Sequence, residues 1–119
     1  MSGPPILDRI VISGLRKLTP PGEPDVLAEV LNLFLAEVPP RITRLRNAVD
    51  AGSIQDVQRA AHSLKGSAGN IGARQLHEVC RQLDEISRSG DLTTAPPLVD
   101  ALGLEFGKVE AEIHRILGE

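Results

Sequence analysis

Aromatic side chains are nearly missing from this chain of 119 residues. Phe34 and Phe106 are the only two, with no tryptophan and no tyrosine. That argues against a stacking platform for single-stranded nucleic acid and favours an aliphatic, leucine-rich core. Cysteine is scarcer still. The single Cys80 excludes an internal disulfide and any multi-cysteine zinc site. No apolar run approaches the roughly 18 residues of a membrane span, and no charged-then-apolar leader is evident. Neither a transmembrane segment nor a signal peptide is therefore expected, and a cytoplasmic setting is the default. Positive charge has no excess either, with 13 Lys and Arg against 16 Asp and Glu and a net charge of −3. Without a basic run, a reader of nucleic-acid phosphates is not expected. A glycine-rich nucleotide loop, a Walker motif and a kinase signature are also missing, so ATP binding and self-phosphorylation are not expected.

What is present fits one soluble domain, long enough to bury a core without staples. Residues 1–5 read as a flexible, proline-bearing tail. Ile6, Leu7, Ile10, Val11, Leu15 and Leu18 can form a short amphipathic helix, weakened at Ser13 and Gly14. Prolines 20, 21 and 24 with Gly22 make a loop. From Asp25 onward Val26, Leu27, Val30, Leu31, Phe34 and Leu35 recur at helical spacing. The pattern meets Pro39 and Pro40 and then resumes with Ile42, Leu45 and Val49, which leaves two helices or one kinked helix. Ser53 is a candidate N-cap with Asp56 three residues on, opening a helix that ends near Gly72. Leu76, Val79, Cys80, Leu83 and Ile86 mark the next helix, closing at Gly90. Leu98, Leu102, Phe106, Val109, Ile113, Ile116 and Leu117 mark the last. Nothing alternates with period two, and no repeat is apparent. The expected fold is all-α, an antiparallel four-helix bundle with an additional short N-terminal helix.

The stretch A-A-H-S-L-K-G-S-A-G-N-I-G, from Ala60 to Gly72, is the one that breaks local rules. On a helical wheel of about 100° per residue, Ile54, Val57, Ala61, Leu64, Ala68 and Ile71 fall in one stripe. His62 lies about 130° from the centre of that stripe and should face solvent. Gln55, Gln58, Lys65, Gly66 and Gly69 share its open face. Gly66 and Gly69 each cost a helix about 1 kcal/mol relative to alanine, and such concessions tend to accompany function. With no side chain at either position, a partner's backbone or a tetrahedral group could approach the imidazole, and the Lys65 ammonium suits a phosphoryl oxygen. A metal-dependent or general-base enzyme would want a second ligand one turn on, where Gly66 stands. No metal site is expected. Cys80 falls on an apolar stripe and reads as a buried, inert thiol, and His77 and His114 read as surface residues.

H-S-L-K-G-S-A-G-N-I-G, His62 to Gly72, resembles the signature of histidine-containing phosphotransfer (HPt) domains, roughly H-x-L-K-G-S-x-x-x-hydrophobic-G. L-N-L-F-L-A-E-V-P upstream and V-C-R-Q-L-D-E-I downstream resemble that family's flanking helices, so the likeness covers nearly the whole chain. It implies that His62 carries a phosphoryl group, that Lys65 steadies it, and that Gly66 leaves room for a partner. It also implies a place in a multistep two-component phosphorelay, with receiver domains of response regulators or a hybrid sensor histidine kinase as partners. The docking face would use Gln55, Gln58, Arg59 and Gly69. No cofactor is implied beyond magnesium in the partner receiver, and a monomer is expected. The family often has a glutamine or other polar residue on the next helix near the imidazole. Ungapped counting puts Asp84 there, where a carboxylate could orient the ring yet repel a phosphoryl group; Arg81 and Arg88 on the same flank could offset that repulsion. A non-catalytic bundle that docks receiver or kinase domains without carrying phosphate is the alternative.

Overall fold

The computed structural model describes residues 4–118, and among them every regular element is a helix. In order these are α1 (Arg9–Arg16), α2 (Val26–Asp50), α3 (Ile54–Asn70), α4 (Arg74–Ser89) and α5 (Ala95–Leu117). Of the expected N-terminal tail, residues 1–3 lie outside the described residues, while Pro4 and Pro5 are exposed. Loops 51–53, 71–73 and 90–94 are too short for anything but antiparallel neighbours. Around the ring, α3 packs on α2 and α4, and α5 closes it by packing on α4 and α2. This is the antiparallel four-helix bundle, with α1 laid against α2.

The core is aliphatic. Leu27, Leu31, Leu45, Leu83, Leu102 and Ile113 are all but sealed from solvent, each worth about 1.5–3 kcal/mol of burial. The two phenylalanines meet where α2 faces α5, with ring centroids 6.1 Å apart. Cys80 is fully buried in the same cluster, and burial pushes its thiol up to about 12, so it is no thiolate nucleophile near neutral pH.

The Pro39–Pro40 question resolves as one helix. Both prolines lie inside α2, and buried Val38 and Leu45 continue the Leu27, Leu31, Phe34 stripe across them. A proline removes the N–H that would serve the carbonyl four residues back, here at Leu35 and Ala36. Ala36 and Pro40 are exposed, so water can take up that loss. Tertiary burial on both sides outweighs the local penalty.

Three expected apolar positions are exposed. Ile10 is 81% exposed, and α1 buries Ile12 instead. Ile54, expected on the α3 stripe, sits exposed in the first turn. Leu18 lies beyond the end of α1 and is also exposed. The phase of α1 is set at its start. Asp8 caps the helix by accepting from the Ile10 N–H at 2.8 Å, pairs with Arg74, and donates its own N–H to the Gly72 carbonyl at 2.9 Å. Ser53 occupies the N-cap of α3 as expected, but its hydroxyl donates to the Asp56 carboxylate at 2.9 Å instead of receiving a backbone N–H.

Gly72 turns the chain between α3 and α4 with φ +73°, a region that side-chain-bearing residues avoid. A Cβ there would stand 2.8 Å from the Asp8 Cβ and 3.0 Å from its backbone nitrogen. Gly72→Ala should therefore cost about 2–4 kcal/mol of stability in urea unfolding. The Ile10 N–H first, and then Arg74, hold the Asp8 carboxyl below its ordinary 3.8. The folded state thus binds fewer protons there than the unfolded chain, and its contribution is present above pH 3.8 and lost as pH falls through the lowered value. Asp8→Asn should lower the melting temperature at pH 7, and its difference from wild type should shrink as acid is added below pH 3.8.

Candidate functional site

Helix α3 has one face for the core and one for solvent. Val57, Ala61, Leu64 and Ala68 are at most 2% exposed, and Ile71 follows them inward. Alanine at two of these places lets α4 come close, and α3–α4 is the most extensive helix pair in the fold. Burying that stripe turns the opposite side of the same cylinder outward. His62 is exposed there, and its imidazole makes no hydrogen bond with any described residue. Its neighbours along the face are Gln55, Arg59, Gly66 and Gly69, all exposed, and Gln58 and Lys65, half-buried.

Gly66 stands one turn beyond His62, and a Cβ built there would meet nothing within 4 Å. Neither the fold nor its backbone angle calls for glycine. At Gly69 a Cβ would be in ordinary contact with the His77 ring, 3.5 Å away, so His77, expected at the surface, is half-buried beside the site's far end. His114 is half-buried in α5.

Lys65, one turn along from the imidazole, is not free. Its ammonium donates to Asp84 Oδ2 at 3.3 Å across the α3–α4 seam. The other oxygen, Oδ1, accepts from Arg88 Nε at 3.3 Å. Asp84 is therefore near the site, as its place in the sequence suggests, but its carboxylate is bound by two cations and not by the imidazole. Arg88 meets the carboxylate, while Arg81 turns away to Glu78 and Glu85. Arg59 stays on the open face, 4.0 Å from Asp56.

Helix α2 adds a contribution that its sequence does not announce. Arg41 donates to Ser67 Oγ at 3.1 Å, and with Arg44 and Arg59 it lines a groove of about 540 Å³ between α2 and α3 that reaches Ser63, beside His62. Arg41 and Arg44 are spaced for one helix face, but only the packing of α2 on α3 brings them to the flank of α3 that carries Ser63 and Ser67. No cluster of three His, Cys, Asp or Glu occurs among the described residues, and none of the described helices is long and apolar enough to cross a membrane.

An exposed imidazole with a neighbouring ammonium, on the outside of a helical bundle, can act as a nucleophile toward a group that a second protein presents. The family model for the Hpt domain matches residues 29–118, and the chain belongs to that family. The crystal structure of histidine-containing phosphotransfer protein B from Pseudomonas aeruginosa PAO1 superposes with a TM-score of 0.87 at 31% identity, covering 95% of both chains. Histidine-containing phosphotransfer protein 2 of Arabidopsis thaliana is 26% identical over 84% of this chain, and protein 5 of the same plant is 36% identical over 61% of it. The chain spans 66% of the length of the first plant relative and 48% of the second.

Since nothing in the fold occupies the space at Gly66, Gly66→Ala should raise the stability of the isolated domain by about 0.5–1 kcal/mol, read by chemical denaturation. A loss of stability would mean that the glycine serves the fold and not a visitor.

Proposed function

We propose that this domain is a histidine phosphotransfer protein of a multistep phosphorelay, taking a phosphoryl group onto His62 from the aspartate of one receiver domain and passing it to another. The observation that carries the reading is the exposed imidazole of His62 beside Lys65 and Gly66, in a chain of the Hpt family.

The chemistry asks little of the chain beyond position. The unprotonated ring nitrogen attacks phosphorus, the P–O bond to the aspartyl carboxylate breaks, and its electron pair stays on that carboxylate. The other ring nitrogen keeps its hydrogen until water takes it. Reversing the step loads the second receiver. The phosphoryl group adds about −1.5 to −2 charges, and His62 is mid-helix, where the dipole of α3 helps little. Lys65 is a cation one turn on along the same helix, and the receiver's magnesium and its own cations would supply the rest. Gly66 and Gly69 leave the approach open, with Gln55, Gln58 and Arg59 as contacts for the docked receiver. A domain without ATP binding, working as a monomer in the cytoplasm and meeting response regulators or a hybrid kinase, completes the proposal. Since a relay must release each partner, the interface should be small and transient.

The test is transfer. Incubated with a panel of receivers from the source organism carrying labelled aspartyl phosphate, the wild-type domain should acquire acid-labile, alkali-stable label, and His62→Gln should acquire none. Gly66→Leu should fold yet transfer at least about tenfold more slowly, because its side chain stands where the receiver must approach. Failure of the wild type to take label from any receiver would favour a bundle that docks partners without carrying phosphate.

A further inference from the structure

Asp84 is the one carboxylate buried among the described residues, with its side chain 7% exposed. It is bound by two cations of unequal standing. Lys65, 27% exposed, reaches it from α3, and Arg88, 60% exposed, reaches it from one turn further along α4. The flexible Lys65 stem begins three residues from His62, so one ammonium lies within range of two anions: the Asp84 carboxylate at rest, and a phosphoryl group once His62 is loaded. We propose that Asp84 is a positioning residue that holds Lys65 back from the phosphoryl group and so keeps loaded His62 ready to donate. Arg88 is what makes this tolerable. When Lys65 turns toward the phosphoryl oxygens, Asp84 keeps a cation and is not left as an unpaired buried charge.

The direction of the effect follows from charge. A phosphoryl dianion leaves the ring through a loose, metaphosphate-like state with less negative charge on its oxygens. A cation on those oxygens therefore stabilises the loaded state more than its departure. By competing for Lys65, Asp84 weakens that stabilisation. In the hydrolysis that reports on this, water oxygen bonds to phosphorus, and the P–N bond breaks with its electron pair remaining on the ring nitrogen. The products are inorganic phosphate and free imidazole.

This inference rests on the carrier reading, and the experiment separates the two. The full chain is loaded with phosphoramidate, whose P–N bond breaks with loss of ammonia as the His62 nitrogen bonds to phosphorus. The lifetime of the product is then followed by phosphorus NMR. Asp84→Asn should lengthen the lifetime about threefold to fivefold, the scale of one partly exposed ion pair. In a Lys65→Met background the same substitution should change nothing. Asp84→Glu should restore most of the wild-type behaviour. Arg88→Met leaves the buried carboxylate in place and tightens its claim on Lys65, so it should shorten the lifetime about twofold. That variant keeps the test decisive should Asp84→Asn fold poorly. A lifetime unmoved by Asp84→Asn, or moved equally without Lys65, overturns the role of Asp84 while leaving the carrier reading standing. A wild-type chain that takes no phosphoryl group at His62 overturns both.

Discussion

The burial of Val57, Ala61, Leu64 and Ala68 between α2 and α4 is the constraint from which the rest of the site follows. A helix is rigid about its own axis, so fixing one stripe fixes the direction of every other residue on it. His62 points outward because Ala61 and Leu64 point inward. Gly66 and Gly69 clear a strip on the same side, and Lys65 leaves the cylinder at the margin, where it can reach either the imidazole's surroundings or the neighbouring helix. The bundle thereby presents an exposed imidazole on an open helix face, the arrangement that the proposed carrier role asks for.

The second support is the turn at Gly72. It joins the two helices of the site, and its carbonyl and missing Cβ together receive the start of α1. The α3–α4 pair is thus braced from outside the ring by Asp8, at the opposite end of α3 from Ser53. This is how a short helix outside the bundle contributes to holding the seam across which Lys65 and Asp84 meet.

Much of this was legible in the sequence, and the parts that were not have physical causes. The α3 stripe could be read because three-four spacing of apolar residues has one solution on a helix. The position of Gly72 could be read because only glycine enters the left-handed region without cost. The continuity of α2 could not, since Pro39 and Pro40 carry a local penalty whose repayment by Val38 and Leu45 is visible only after packing. The facing of α1 was misjudged at Ile10 because its phase is set by Asp8, through contacts with residues more than sixty positions away. The same limit applies to the candidate site. Counting along α4 brought Asp84 to the neighbourhood of the histidine, but no count says which of His62, Lys65, Arg81 and Arg88 a carboxylate will bind. That depends on side-chain reach across the α3–α4 seam. Arg41 and Arg44 meet the Ser63–Ser67 flank of α3 only through the packing of α2 on α3.

The central claim is that one imidazole, the outward-facing ring of α3, is the phosphoryl acceptor. Nitrogen-15 NMR with phosphorus coupling, on the labelled full chain mixed with a phosphorylated receiver, tests it most directly. The account predicts a one-bond P–N coupling on His62 alone, with the His77 and His114 rings unmodified. Coupling on either of those rings, or phosphoryl transfer to the chain with no P–N bond at all, would contradict it.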